Sequence, residues 1–281
     1  MTTCSALRAN TRTERMCPPS QVESRKYAVA RSGDMGLSQR AEVEQTMQMK
    51  KGYLLIGLAV SCAISSYGCD ASAPKGICEH ASAMVLTDRY TLAGDKHLVR
   101  DYAALDSSGY INVVVEIPTG TNAKWETDKS GGTMKWELKK GKPRVVSYLG
   151  YPGNYGMVPR TLLPQEWGGD GDPLDVLILA PPLPRGSVVK ARAIGVLKML
   201  DGGEQDDKII AVLPDSDLGR VCSIEELRRE FTGIPEIIEI WFSNYKGPGK
   251  MESKGFAGVA EAEKVIRASV AAYEDALGVA E

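Results

Sequence analysis

The chain has 281 residues, 43% of them hydrophobic and 25% charged, with a formal net charge of −2. That length holds one or two domains with a sizeable core. The near-neutral balance and the scattered lysines and arginines speak against a phosphate-backbone binder, so no nucleic-acid partner is expected.

Taken in chain order, residues 1–48 are polar, mixed in charge and without an apolar period, which predicts little packed structure or a misplaced translation start. Met49-Lys50-Lys51 then precedes the uncharged stretch Tyr53 to Ser66, followed by Tyr67-Gly68-Cys69. A basic start, an apolar core and small residues have the layout of a bacterial export signal over 49–69. The stretch is short for a transmembrane helix. Gly68-Cys69 is similar to a lipoprotein box, which would give a lipid anchor at Cys69, although Ser66 departs from the usual aliphatic residue. The other reading of this stretch is a buried apolar helix. If the signal is used, the protein is periplasmic or membrane-anchored; otherwise it is cytoplasmic. Residues 70–87 read as a linker and 88–281 as the globular domain. Five of the six cysteines precede that domain, which contains only Cys222. A Cys78–Cys222 bridge stays open for an exported chain, and no metal-binding cysteine pair exists within the domain.

Within the domain, β-rich runs at 110–117, 133–138, 144–149, 175–180, 187–200 and 208–213 are separated by Gly, Pro and Asp turns. Helices follow late. Ser223 with Glu226 forms a capping box for a helix through Phe231, and Pro235 sits where a first helical turn would begin. In that second helix Ile237, Ile238, Trp241, Phe242 and Tyr245 share a face and read as core, with Tyr245 able to turn toward a site. The last helix places Ala262, Val265, Ile266, Ser269, Tyr273, Ala276 and Leu277 at helical spacing before Gly278 stops it. Strands first and helices last predict an α+β fold, a closed β-barrel with helices packed outside it.

The chemistry concentrates at Gly169-Asp170-Gly171-Asp172-Pro173-Leu174-Asp175-Val176. Three carboxylates this close repel unless cations lie between them, and oxygen ligands suit Mg²⁺ or Mn²⁺. Read alone, the segment is equally a solvated acidic turn, because Asp, Gly and Pro are ordinary turn residues. Other polar groups recur along the chain. Glu116 interrupts the apolar run from Val113, Lys124 and Glu126 share a face at period two, and Arg144 precedes Tyr151-Pro152-Gly153-Asn154-Tyr155. Asp201, Asp206 and Lys208 follow a long apolar run, and Tyr245-Lys246 closes a later one. Only His80 and His97 are present, which leaves no His-rich zinc centre or Ser-His-Asp triad. No Gly-x-x-x-x-Gly-Lys-Ser/Thr loop occurs.

Together these residues resemble the soluble family I inorganic pyrophosphatases, over about residues 88 to 278. The most specific elements are Glu116-Ile117-Pro118, Asp170 through Val176, Gly195 through Met199 with Asp201 and Asp206, and Tyr245-Lys246. The resemblance implies an OB-like five-stranded barrel and Mg²⁺-dependent hydrolysis of pyrophosphate to two phosphates. It implies that Asp170, Asp175 and Asp206 hold activating metals and that Asp172 takes a proton from the attacking water. Asp201 would bind substrate-borne metals, and Glu116 and Glu126 would reach metals directly or through water. Lys124, Arg144, Tyr155, Lys208, Tyr245 and Lys246 would bind phosphate, with Tyr155 also placed in the catalytic set. Tyr151 is an alternative supporting residue, because the Arg144–Tyr151 spacing differs from that of some relatives. Bacterial members imply a homohexamer. Two other readings are a non-catalytic metal-binding lipoprotein that kept the fold, and a phosphohydrolase acting on nucleotides or polyphosphate, for which Trp167 is the one nearby stacking residue.

Overall fold

The computed structural model describes residues 84–164, 168–169 and 171–278. The predicted export signal at 49–69, Cys69, Cys78, Asp170 and Trp167 lie outside the described residues.

Two short strands, β1 (Val85–Asp88) and β2 (Thr91–Ala93), open the described chain, so β1 lies in the stretch read as linker. Then come β3 (Ile111–Ile117), β4 (Trp125–Thr127) and β5 (Met134–Trp136). A two-stranded hairpin follows, β6 (Leu138–Lys139) and β7 (Lys142–Pro143), then β8 (Asn154–Met157) and β9 (Asp175–Leu179). The long β10 (Val188–Asp201) leads to β11 (Glu204–Gln205) and β12 (Lys208–Val212). Helices α1 (Ile224–Glu230) and α2 (Ile234–Asn244) precede β13 (Met251–Ala257), and α3 (Val259–Ala276) ends the fold. The result is an α+β architecture.

The main sheet closes on itself. β3 pairs antiparallel with β8, β8 with β9, β9 runs parallel to β12, β12 pairs antiparallel with β10, and β10 returns to β3. β10 can do this because its register shifts between Ala193 and Gly195 and again between Leu197 and Met199. Its first part pairs with β3 and its later part with β12 and β13, as expected of a bulged strand that twists sharply. A second sheet, in the order β1-β2-β5-β4, lies beside it in the topology.

Period-two alternation splits the ring strands between two cores. Val176, Ile178, Ile209 and Ala211 pack with Ala262, Val265 and Ile266 of α3. Leu177, Leu179, Ile210 and Val212 pack instead with Ile224 and Leu227 of α1 and with Ile238, Trp241 and Phe242 of α2. Both faces of these strands are therefore dry, and that is why they read as unbroken apolar runs.

The predicted strands at 110–117, 175–180, 187–200 and 208–213 match β3, β9, β10 and β12 closely. The run 144–149 is not a full strand: it forms the isolated Ala123–Val145 bridge, flanked by hydrogen bonds from the Lys124 amide to the Arg144 carbonyl and from the Val146 amide to the Asn122 carbonyl, and Val145 and Leu149 are exposed. β8 and β13 escape the sequence reading because Pro152-Gly153 and Gly247-Pro248-Gly249 beside them signal turns. The cap prediction holds: the Ser223 hydroxyl accepts from the Glu226 amide at 3.1 Å, and the Glu226 carboxylate accepts from the Cys222 amide at 2.8 Å. Ile237, predicted as core, is exposed, as are Ala276 and Leu277. The buried stripe of α2 runs instead through Pro235, Ile238, Trp241 and Phe242.

Candidate active site

One end of the closed sheet gathers the polar residues. The parallel register sets Lys208, first residue of β12, directly beside Asp175, first residue of β9. On the neighbouring strands Tyr155 of β8 lies opposite both Ile117 and Leu177, so it is next to Glu116 at the end of β3. Asp201 ends β10, and Asp206 begins the approach to β12. Alternation then places Asp206 and Lys208 on one side of the strand and Asp207 on the other. Asp207 accepts from the Met199 amide at 3.1 Å and pairs with Lys198 at 2.5 Å, which makes it part of the β10–β12 junction.

These elements enclose a cleft of about 300 Å³. Glu116, Lys124, Glu126, Arg144, Tyr155, Asp172, Asp175, Asp201, Asp206, Tyr245 and Lys246 all line it. Lys208 does not. It is 1% exposed and forms the floor, with its ammonium donating to Asp175 Oδ2 at 2.5 Å and to Asp206. Its contacts are with carboxylates, which differs from the phosphate-binding role that the resemblance implies. Tyr151, read from the sequence as a supporting residue, is a core residue packed against Tyr155, Trp241 and Tyr245, and it does not line the cleft.

The electrostatics follow from burial. Glu116 is 6% exposed, and desolvation pushes its carboxyl up to about 7 against the pull of Lys124 and the Thr127 amide, which donates to it at 2.7 Å. Burial also raises Asp206, and the nearby Asp175 adds to the effect while Lys208 opposes it: two acids share one ammonium. Desolvation works against the charge on Lys208, but Asp175 and Asp206 more than offset it and hold the lysine above its usual range. Burial, reinforced by Asp175 and Asp206, keeps the Tyr155 phenol well above its ordinary value, and burial does the same to Tyr245 despite Lys208. Both tyrosines are therefore neutral hydroxyl donors at physiological pH. Lys124 stays charged. Burial disfavours its ammonium, but neighbours led by Tyr151 and Glu116 raise it, and its Nζ lies 5.4 Å from the Tyr155 ring centre.

Three participants were not read from the sequence. Lys129 pairs with Asp172 at the exposed lip. Glu137 holds Arg144 at 2.5 Å and also meets Glu126; the contact holds Glu126, already raised by burial, higher still. In Glu137 the hydrogen bonds from Glu126 and Arg144 outweigh burial and lower it. Thr127 fixes Glu116 through its amide. Only Glu137 had a usable signal, an acid two residues beyond Lys135 and beside an aromatic in a short β-rich run. Lys129 and Thr127 are ordinary loop and strand residues until the tertiary fold brings them across 43 and 11 residues of sequence. Tyr245 reaches the cleft because its ring stacks on Trp241 at 4.7 Å at the end of α2.

A cleft of carboxylates interleaved with lysine, arginine and tyrosine donors, set at the mouth of a closed α+β sheet, is a site built for a polyanion and hard cations together. A family model described as inorganic pyrophosphatase matches residues 113–274, and the chain belongs to the soluble family I inorganic pyrophosphatases. It is 38% identical over 169 residues to the inorganic pyrophosphatase of Xanthomonas axonopodis pv. citri (strain 306), covering 58% of this chain and 89% of that protein. Among solved structures, that of an inorganic pyrophosphatase from Neisseria gonorrhoeae aligns with a TM-score of 0.54 at 33% identity, over 63% of this chain and 99% of that one. The N-terminally truncated vacuolar soluble pyrophosphatase of Trypanosoma cruzi in complex with PPi aligns with a TM-score of 0.59 at 26% identity, over 65% and 76% of the two chains.

Proposed function

We propose that this protein hydrolyses inorganic pyrophosphate to two orthophosphates, with Mg²⁺ as the natural divalent cofactor and Mn²⁺ as a substitute. The observation that carries the reading is the convergence of Glu116, Glu126, Asp172, Asp175, Asp201 and Asp206 with Lys124, Arg144, Lys246, Tyr155 and Tyr245 on one cleft. Membership in the family and the PPi complex of the Trypanosoma cruzi relative support the same substrate. We also read the closed sheet as an OB-like five-stranded barrel with helices packed outside it.

The donor set fits a hard cation. All its acids are oxygen ligands, and Glu116 and Asp206 are held above their ordinary values by desolvation, so a cation beside them would restore their charged forms. Among the described residues no three acidic or imidazole groups form a ready cage, and Asp170 lies outside those residues. Mg²⁺ keeps several of its own waters, so one or two carboxylates per ion suffice. Asp170, Asp175 and Asp206 would hold it, Asp201 would meet the cation carried by substrate, and Glu116 and Glu126 would act directly or through water. When bound, the cation neutralises phosphoryl oxygens and makes the attacking water more acidic.

The protein's own groups do the rest. Asp172, whose side chain is 58% exposed at the lip, takes the proton of the attacking water. Lys124, Arg144 and Lys246 bind phosphate oxygens, and Tyr155 and Tyr245 donate neutral hydroxyls to charge that develops on the departing phosphate. Lys208 positions Asp175 and Asp206 from below.

The test is phosphate release from pyrophosphate by the full chain, with Mg²⁺ or with chelator, beside Asp172→Asn and with ATP in parallel. Loss of a general base predicts a drop of about 10² to 10⁴ in the variant. Absence of release by the folded protein, an unaffected Asp172→Asn, or preference for ATP refutes the reading.

A further inference from the structure

Glu116 belongs to β3, while Lys124 and Glu126 lie at the start of β4, and among the described residues no ladder joins these two strands. β3 is part of the closed sheet, and β4 is an edge strand of the second one. The spacing between Glu116 and the two cleft residues of β4 is therefore set by side chains. One of these is Arg185, in the turn before β10. Its Nε donates to the Glu116 carbonyl at 2.8 Å, and its guanidinium lies 4.8 Å from the ring centre of Trp125, the residue between Lys124 and Glu126. The turn that carries Arg185 is itself tied to β3: the Gly186 amide donates to the Val115 carbonyl at 2.7 Å, and the Val115 amide donates to the Ser187 carbonyl at 2.9 Å.

Trp125 carries that anchoring further. Alternation along β4 turns Lys124 and Glu126 toward the cleft and Trp125 away from it. There the indole is 5% exposed and stacks on Trp136, its partner across β4 and β5, with ring centres 5.4 Å apart. The Trp136 indole N–H donates to the Arg144 carbonyl at 2.8 Å, and the Lys124 amide donates to the same oxygen at 3.0 Å. Arg185 thus caps a tryptophan stack whose other end holds the backbone of Arg144. Arg185 does not line the cleft. No carboxylate pairs with it among the described residues, so burial lowers its guanidinium with nothing to offset the effect. Taking a cation partly out of water costs free energy, and the ring face and the carbonyl oxygen are its compensation here.

We propose that Arg185 is a positioning residue of this site: with Trp125 it sets the placement of Lys124, Glu126 and Arg144 against Glu116, and it acts on the reaction only through them. The proposal rests on the pyrophosphatase reading above. Loss of Arg185 removes no group from the cleft. It frees β4 to shift relative to β3, and a misplacement of about 1 Å in groups that hold reacting atoms can cost about 10²-fold in rate. The effect falls on kcat, because every phosphate-binding group is still present to hold the substrate in its ground state.

The experiment measures kcat and KM for pyrophosphate at saturating Mg²⁺ with the full chain, each protein assayed well below its own Tm. The set is the wild type, Arg185→Ala, Arg185→Met, Trp125→Leu and the double variant Arg185→Ala with Trp125→Leu. Arg185→Ala and Arg185→Met are expected to lower kcat about tenfold while KM stays within about threefold. Because Arg185 and Trp125 act through one contact, the double variant should be no slower than the slower of its two single variants. Arg185→Met keeps an apolar stem on the indole, so it decides the question if Arg185→Ala or Trp125→Leu does not fold. The proposal is overturned by a folded Arg185→Met with the kcat of wild type, by a loss confined to KM or to Tm, or by a double variant whose loss is the product of the two single losses. A wild type inert on pyrophosphate overturns the pyrophosphatase reading itself, and this proposal with it.

Discussion

Replacing Lys208 with methionine isolates the electrostatic floor of the cleft. The side chain is 1% exposed and its ammonium contacts Asp175 at 2.5 Å and Asp206, whose side chains are 24% and 17% exposed. Methionine keeps much of the apolar stem but leaves two half-buried carboxylates facing each other without a cation. Removing one partner of a buried ion pair typically destabilises by about 3–5 kcal/mol. For a domain of this size each kcal/mol lowers Tm by roughly 2–4 °C, so a fall on the order of 10 °C follows. The pH dependence has a definite sign. Asp206 already has a raised folded-state pKa, and loss of Lys208 raises it further. A carboxyl raised on folding weakens the fold as pH climbs from its unfolded value of 3.8 to its folded value, and the penalty is absent below 3.8. Urea unfolding in chelator should therefore show a large loss at pH 8 and a clearly smaller one at pH 5. A variant within about 1 kcal/mol of wild type at pH 8, or one equally damaged at both pH values, refutes the account of Lys208 as the shared cation of two acids.

Other outcomes follow from the same structure. Glu116, raised to about 7 from 4.5, weakens the metal-free fold as pH rises across that interval, by on the order of 3 kcal/mol at most. Glu116→Gln should remove this slope, so in chelator its stability relative to wild type should be higher at pH 8 than at pH 5, as read by denaturant titration. A Cβ on Gly156 would land on the Val114 carbonyl oxygen across the β3–β8 pair, and Gly156→Ala should destabilise by about 3 kcal/mol or more, since backbone cannot yield as a side chain does. Ser223→Ala removes the side-chain cap of α1 and should lower stability by about 1 kcal/mol in the same titration, with little effect on phosphate release.

Much of the site was legible in the sequence because its chemistry is local. Asp172, Pro173 and Asp175 are a few residues apart, and a carboxylate inside the apolar run of β3 has no packing reason to be there. Asp206 and Lys208 share a face by period-two spacing alone. The cap of α1 and the apolar stripe of α3 were likewise set by near neighbours, where hydrogen-bond geometry and helical period act without help from the rest of the chain. The strand proposed at 144–149 shows the limit: Val145 and Val146 carry a strong β preference, but their pairing with residues 122–124 amounts to one bridge and does not extend into a ladder.

Tertiary structure decided what no spacing encodes. The parallel pairing of β9 with β12 turned Lys208 from one more basic residue into the buried counter-charge of Asp175, across 33 residues of chain. Lys129 met Asp172 across 43 residues of chain, whereas Glu137 took hold of Arg144 locally, where the two flank the β6–β7 hairpin and the Arg144 amide donates to the Glu137 carbonyl. Which ionisable groups the sequence supplies is a property of composition and order. Which of them lose water, and whose charge they then face, depends on distances that exist only once the strands have closed, and desolvation and Coulomb energies are functions of those distances.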